Sequence, residues 1–160
     1  MTANLGGGLI PMSKLYNTPF EASLRILLIL ETSRNQSFSA DMLAAIDFIS
    51  IYGREFGISD ENLHGDNNYK FSEFTLRREL ITKAIKQLVV DDLIKVNSTE
   101  KGFTYCANQK GLNYSEYLSS DYATAYRRAV SLAREFISNK TERKILNFIN
   151  RRSIYSLQED

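Results

Sequence analysis

The 160-residue sequence has one cysteine, one histidine, two prolines and no tryptophan. The lone Cys106 excludes a disulfide within the chain, and this cysteine usage is typical of a reducing compartment, so we expect a cytoplasmic protein. Cys106 and His64 are too few for a tetrahedral zinc site of the usual kind, and no acidic residues are spaced around His64 to complete one. The sequence therefore predicts no metal and a fold held together by its hydrophobic core.

Long apolar runs are also missing. The longest, residues 24–30, is far shorter than the roughly 18 residues that a membrane-spanning helix needs, so we expect no membrane segment. Residues 1–12 lack the charged start and apolar core of a signal peptide, and their three consecutive glycines lack the Lys-Ser/Thr of a phosphate-binding loop. We predict a flexible leader at residues 1–14, a single domain at 15–152 and a frayed tail at 153–160.

Catalytic groups are scarce as well. Paired carboxylates occur at Asp60-Glu61 and Asp91-Asp92, and neither pair lies in an apolar segment that would shift a pKa toward catalysis. A dyad of Cys106 and His64 would need a strand residue to meet a loop residue, with nothing nearby to activate the thiol. We predict no catalytic residue and no cofactor site, and therefore a binding protein rather than an enzyme.

Two helices are predicted in the first third of the domain. Thr18, Pro19 and Glu21 are typical of a helix start, and the apolar residues that follow on all sides predict a core helix buried nearly all round. Ser39 is the predicted N-cap of a second helix that Gly53 ends. Residues 54–69, which include His64, are rich in turn residues and are predicted to run over the surface.

Residues 70–107 combine a long amphipathic helix with a hairpin. Two β-like runs, 93–97 and 103–106, follow the helix around a tight turn. This succession is typical of the third helix and wing of a winged-helix domain. Apolar residues at spacings of three, four and seven give the helix one buried face: Phe71, Phe74, Ile81, Ala84, Ile85 and Leu88.

Three more helices are predicted after the hairpin, around residues 112–118, 121–138 and 141–151. We therefore predict a mainly α fold with a small β-hairpin: a winged helix-turn-helix core with additional C-terminal helices at about 108–152. In the long helix, Arg127 and Arg134 are predicted to face outward. Its predicted inward residues are Tyr122, Tyr126, Ala129, Ala133 and Phe136.

Charge is unevenly distributed along the chain. Residues 1–121 carry 12 basic and 15 acidic side chains, a net charge of −3, whereas residues 122–152 carry 8 basic and 2 acidic side chains, a net charge of +6. The second segment can form a patch for DNA phosphates or for an acidic partner, or it can be an ordinary exposed face. Arg128 can join this patch or pack inward. The candidate patch residues are Arg127, Arg134, Lys140, Arg143, Lys144, Arg151 and Arg152.

The third helix has little of the charge that reading DNA requires. Between residues 71 and 92, four basic side chains are matched by four acidic ones, whereas a recognition helix must approach a groove flanked by phosphates. We expect a solvated or protein-facing surface instead. The candidate partner-docking residues are Arg77, Arg78, Glu79, Lys83 and Lys86, together with His64 from the preceding loop.

Several short motifs, in their order along the chain, resemble one known family. They are Tyr16-Asn17-Thr18-Pro19-Phe20-Glu21, Asp47-Phe48, Leu63-His64, Leu76-Arg77-Arg78-Glu79-Leu80, Asp92-Leu93-Ile94, and Ser120-Asp121-Tyr122-Ala123 followed by Arg128-Ala129. Over residues 15–137 the sequence resembles the middle component of bacterial ABC-three-component systems, a family that includes the small third subunit of Lamassu anti-phage and anti-plasmid defence complexes. It departs from the family pattern at Gly65, where proline often follows the loop histidine.

The resemblance implies a non-catalytic subunit that binds an SMC-like ABC ATPase and an effector nuclease, which is held inactive until foreign DNA is sensed. ATP and magnesium would belong to the ATPase. Contact with double-stranded DNA would come through the assembled complex, at most by way of the basic C-terminal helices. The alternative is a free-standing winged-helix transcription regulator that binds a specific duplex.

Overall fold

The computed structural model describes residues 2–4, 9–11, 18–65, 70–71 and 73–158, with the backbone alone for 2–4, 9–11 and 153–158. This part of the chain is mainly helical and contains an antiparallel hairpin. In chain order its elements are β1 (Thr2–Asn4), β2 (Leu9–Pro11), α1 (Pro19–Glu31), α2 (Ala40–Ile51), a 3-10 turn (Gly53–Phe56), α3 (Phe74–Val90), β3 (Ile94–Thr99), β4 (Gly102–Ala107), α4 (Gln109–Glu116), α5 (Asp121–Ile137) and α6 (Glu142–Gln158).

Both predicted helix starts are confirmed. The Thr18 hydroxyl accepts a hydrogen bond from the Glu21 backbone N–H at 3.2 Å, and the Ser39 hydroxyl accepts one from the Met42 N–H at 3.0 Å. These hydroxyls satisfy backbone donors that have no partner within the helix. Helix α1 is buried on nearly every side, as its apolar composition predicts.

The end of α2 differs from the prediction. Gly53 begins the 3-10 turn, and the left-handed glycine is Gly57, with φ of 71°. Gly53 lies in a crowded place, because a Cβ at this position would collide with the Ser59 hydroxyl unless that side chain moved. The segment that follows is not simply a surface loop, since the Leu63 N–H donates to the Ile51 carbonyl at 2.8 Å and Asn62 is buried.

Helix α3 presents the predicted apolar face to α1 and α2, and all six residues of that face are buried. The hairpin is confirmed as well: β3 pairs antiparallel with β4 from Ile94↔Ala107 to Thr99↔Gly102. An isolated bridge between Phe38 and Tyr105 adds one further backbone pairing on the outer edge of β4. The hairpin is therefore anchored to the start of α2.

The last three helices pack around this unit. Helix α4 starts close to the end of α3, where a Cβ at Gly111 would collide with the Leu93 carbonyl oxygen. Helix α5 packs against both α1 and α2. Its buried face therefore differs from the predicted one, because three of the five residues predicted to face inward are only half-buried: Tyr122, Ala129 and Phe136. The fully buried residues of α5 are Ala123, Tyr126, Val130, Ala133 and Ile137.

The two ends of the chain differ from the prediction in secondary structure. Within the predicted leader, β1 and β2 pair antiparallel, from Thr2↔Pro11 to Asn4↔Leu9, and the residues between and after them lie outside the described part. Helix α6 continues to Gln158, beyond the predicted end at residue 151. The flexibility of the leader and the fraying of the tail stay predictions.

The centre of the core is aromatic. The Phe48 ring on α2 contacts the rings of Tyr52, Phe71 and Phe74, with centroid separations of 5.0 to 5.4 Å. Tilted and edge-on contacts of this kind are favourable beyond the area that they bury. Among the described residues, no helix has the length and apolar character needed to cross a membrane.

Candidate functional site

A buried ion pair joins the two innermost helices. The Arg25 Nε on α1 lies 2.9 Å from Oδ1 of Asp47 on α2, and both side chains are at most 2% exposed. The Tyr126 hydroxyl on α5 donates to the same Oδ1 at 2.6 Å. We call these three residues the Asp47 cluster.

The charges of the Asp47 cluster stabilise one another. Burial by itself penalises both ions, yet the Asp47 carboxylate raises the pKa of Arg25, and Arg25 holds the pKa of Asp47 below its ordinary value. Burial and the charge of Asp47 raise the pKa of Tyr126 well above 10.0. At neutral pH, Arg25 and Asp47 are therefore ionised and Tyr126 is a neutral donor.

Arg77 lies beside this cluster and not on the predicted docking face. Its side chain is buried, its Nη2 donates to the Tyr52 hydroxyl at 3.2 Å, and its guanidinium lies 5.3 Å from the Tyr52 ring centroid. Among the described residues, its Nε and Nη1 find no hydrogen-bond acceptor. The reason is helical spacing, because Arg77 falls on the apolar stripe between Phe74 and Ile81. The structure therefore places Arg77, a predicted docking candidate, in the interior and not on the exposed face of α3.

His64 is half-buried and not the surface residue that its turn-rich segment predicts. Its Nε2 forms a hydrogen bond with the Tyr122 hydroxyl, and the two rings stack with centroids 5.7 Å apart. Burial, followed by the positive charge of Arg25, lowers the pKa of His64 to about 3. The imidazole is therefore neutral at physiological pH, and it acts as packing for α5.

Four of the family-like motif positions thus meet at one place: Asp47, His64, Arg77 and Tyr122. Sequence reasoning missed Arg25 and Tyr126 as their partners. One signal was available, because an arginine in a helix that is apolar on all sides needs a buried counter-ion. Among the described residues, no group of three His, Cys, Asp or Glu side chains could hold a metal. The arrangement is that of a structural centre, which orients α1, α2, α3 and α5.

The outer face of α3 holds the remaining docking candidates. Glu79, Lys83 and Lys86 are exposed, whereas Arg78 is ion-paired with Asp41 at 2.8 Å. Three apolar side chains on this helix are also open to solvent: Leu76 at 64%, Val89 at 40% and Val90 at 78% exposure. This surface mixes both charges with apolar groups.

The predicted basic patch is divided by internal contacts. Arg127 pairs with Glu31 at 2.8 Å and donates to the carbonyls of Ser115 and Leu118. Arg134 donates to the Thr32 carbonyl. Both arginines therefore tie α5 to neighbouring segments and do not face outward as predicted, whereas Arg128, the next residue after Arg127, is exposed.

The patch residues near and on α6 are more open. The Lys140 ammonium lies 4.2 Å from the Phe136 ring centroid, and the Arg152 guanidinium lies over the rings of Phe71 and Phe148. The other three make no such contact with an aromatic ring in the described part of the chain, and all are exposed: Arg143, Lys144 and Arg151. Five of the seven predicted patch residues are thus exposed and two, Arg127 and Arg134, are half-buried; a role of the patch in DNA contact stays a prediction.

Comparison with known proteins identifies the family of the chain. No curated protein and no solved structure matches the chain. The model of the family described as ABC-three component (ABC-3C) system Middle Component 2 matches residues 15–159, which is nearly the whole chain and includes every residue of the Asp47 cluster. The chain belongs to this Middle Component 2 family of ABC-three component systems.

Proposed function

We propose that this chain is the non-catalytic accessory subunit of a Lamassu-type bacterial complex that defends against phages and plasmids. It binds an SMC-like ABC ATPase and an effector nuclease in the cytoplasm, and it helps to couple the sensing of foreign DNA to effector release. The observation that carries the proposal is the family match over residues 15–159, because a middle component of a three-component system has protein partners. ATP and magnesium would be bound by the ATPase, and this chain needs no cofactor.

The charges on α3 support a protein partner over a DNA groove. Because Arg77 is buried and Arg78 is paired with Asp41, the exposed cations of this helix are Lys83 and Lys86. Glu79, Asp91 and Asp92 are exposed beside them. The solvent-facing surface is thus more acidic than the sequence count suggests, which disfavours close approach to phosphates.

We also propose that α1, α2, α3 and the β3–β4 hairpin form a winged-helix unit, with α4, α5 and α6 as an extension. The order of the elements and the Phe38–Tyr105 bridge, which ties the hairpin to the start of α2, support this assignment. In this unit the exposed face of α3 would dock on the partner.

Co-expression with the proteins encoded by the flanking genes tests the proposed function. We expect the full chain to co-purify with a coiled-coil ATPase in a fixed ratio, measured by size-exclusion chromatography with light scattering. The double variant Lys83→Glu/Lys86→Glu should weaken this association, whereas Lys95→Glu, on β3, should not.

A different result would overturn the proposal. If the chain elutes alone and instead shifts one specific duplex with high affinity, the regulator hypothesis is correct. In that case Lys83→Ala should abolish the shift.

A further inference from the structure

A groove of about 730 Å³ lies between the tip of the β3–β4 hairpin and the first half of α6. We call it the hairpin groove. Its volume is in the range of pockets that enclose a small ligand, which is also enough for a few residues of a peptide. Its apolar lining comes from both walls and from the start of α2: Phe38, Met42, Phe103 and Leu146.

Phe103 lies on the same face of β4 as residues that pack on the core, but at a position that the rest of the domain does not cover. Side chains at alternate positions of β4 share one face. On this face Tyr105 and Ala107 are half-buried against the core, whereas Phe103 is 61% exposed. A large aromatic ring at the rim of a concave surface is typical of a side chain that a partner covers.

The backbone at Phe103 also faces the groove. The N–H and C=O of Tyr105 bond to Phe38, at 2.8 and 2.9 Å, on the side away from β3. Backbone groups alternate in an antiparallel ladder, so those of Phe103 point the same way. The chain beyond Phe38 turns into α2 at Ala40, which leaves the described part of β4 without a neighbouring strand at Phe103. An extended segment can pair there.

The groove carries more positive than negative charge. Arg78 is paired with Asp41. Glu142 accepts a hydrogen bond from the Ser39 hydroxyl at 2.7 Å and contributes one negative charge to the lining. Two exposed cations remain, one on each wall: Lys101 at the hairpin tip and Arg143 on α6. Neither has an ion-pair partner among the described residues. With these two cations against the one carboxylate of Glu142, the groove has a net positive charge, which favours carboxylates on a partner.

We propose that the hairpin groove binds an extended segment of a partner subunit in which a large apolar side chain is flanked by carboxylates. The apolar side chain packs on Phe103 and Leu146, the backbone of the segment pairs with Phe103, and the carboxylates lie beside Lys101 and Arg143. Because α6 walls the groove opposite the hairpin, a single segment fits it better than a double helix. The inference rests on the proposed function, since the occupant belongs to the same complex.

Affinity measurements on the full chain and its co-purifying partner test the site. We expect Phe103→Ser and Lys101→Glu/Arg143→Glu each to raise the Kd at least tenfold, and the effect of the charge variant to shrink at high salt. The matched controls Lys95→Glu and Arg128→Glu, exposed cations outside the groove, should change the Kd less than twofold. Thermal unfolding of each variant shows whether it is folded, and Phe103→Leu should retain most of the affinity.

An array of overlapping 15-residue peptides from the co-purifying subunits tests the chemistry of the occupant. Peptides that bind the wild type and not Phe103→Ser should carry at least two carboxylates near one large apolar side chain. Binding of basic peptides alone, or an identical pattern for both proteins, contradicts the inference.

Two further outcomes separate the inference from the proposed function. If the wild type co-purifies with its partner and the groove variants keep full affinity, the groove inference is wrong and the proposed function stands. If the wild type has no partner among the flanking gene products, the proposed function fails. Loss of binding to a 30-base-pair duplex in Lys101→Glu/Arg143→Glu, with partner affinity unchanged, would make the groove a nucleic-acid contact and overturn the inference.

Discussion

The Asp47 cluster and the hairpin groove use basic side chains in opposite ways. In the cluster, Arg25 is 1% exposed and its charge is matched by a carboxylate at 2.9 Å. At the groove, Lys101 and Arg143 are exposed, and neither has an ion-pair partner in the described part of the chain. Buried cations hold helices in place, whereas exposed ones are free to attract a partner. The difference teaches that the net charge of a segment does not give the charge of its surface.

Removing the carboxylate of the cluster is expected to have the largest effect. Asp47→Ala leaves Arg25 buried without its counter-ion, which should lower the free energy of unfolding by about 3–5 kcal/mol. Urea denaturation followed by circular dichroism measures this loss.

The matched control replaces both ions. Arg25→Met/Asp47→Leu removes the charges together and should recover much of the stability. A loss below about 1 kcal/mol in Asp47→Ala would mean that the cluster does not hold the helices together.

His64 gives the second prediction, which concerns pH. Because the pKa of His64 is about 3 in the folded chain and about 6.5 in the unfolded one, the unfolded state binds the proton first as the pH falls. The stabilisation that the buried neutral His64 gives to the folded state is fully present above pH 6.5 and is lost as the pH falls toward 3. Between pH 7 and pH 5 the free energy of unfolding should fall by about 2 kcal/mol from this residue alone. The measurement is the difference in pH dependence of that free energy between the wild type and His64→Gln.

Tyr122→Phe is the control for this experiment. It keeps the histidine and its burial, which is the main cause of the shift, so most of the pH dependence should remain. Parallel curves for the wild type and His64→Gln would contradict a buried neutral imidazole.

Adjacent arginines on α5 give the third prediction. Arg127→Ala removes the pair with Glu31 and two bonds to carbonyls, which should cost about 1–2 kcal/mol of unfolding free energy. Arg128→Ala removes an exposed side chain and should stay within about 0.5 kcal/mol of the wild type. Urea denaturation measures both losses of unfolding free energy. Equal losses in the two variants would contradict the assignment of Arg127 as structural and Arg128 as merely exposed.

The smallest change in stability is expected on α3. Lys83→Ala/Lys86→Ala removes two exposed charges and should shift the unfolding free energy by less than about 0.5 kcal/mol. Its effect should appear instead in the affinity for the partner subunit. A large loss of stability would show that these lysines serve the fold and not docking.

The features that sequence predicts best are those with a local signal. The Thr18 and Ser39 caps, the apolar stripe of α3 and the hairpin each depend on residues within a few positions of one another, and all are confirmed. The burial of Arg77 also had a local signal, because its spacing from Phe74 places it on that stripe. The family-like motifs led to the family that the comparison shows.

The long-range polar contacts had no such signal. Arg127 and Arg128 are equally basic and adjacent, and only the position of α5 between α1 and α2 decides which one meets Glu31. The same packing leaves Tyr122 and Phe136, two of the aromatic residues predicted to face inward on α5, only half-buried. The sequence likewise gives no sign that Lys101 and Arg143 lie on opposite walls of one groove, because the two walls are about 40 residues apart in the chain.

The hydrogen bond from Tyr126 to Asp47 constrains the order in which the core can form during synthesis. Its two residues are 79 positions apart, and Arg25 is made before either of them. At about 5–20 residues per second, roughly 4–16 s of synthesis separate the ion pair from the hydroxyl that completes it. A ribosome-bound chain that ends before α5 therefore carries its central carboxylate only partly satisfied, and this core can be completed only after α5 has been synthesised.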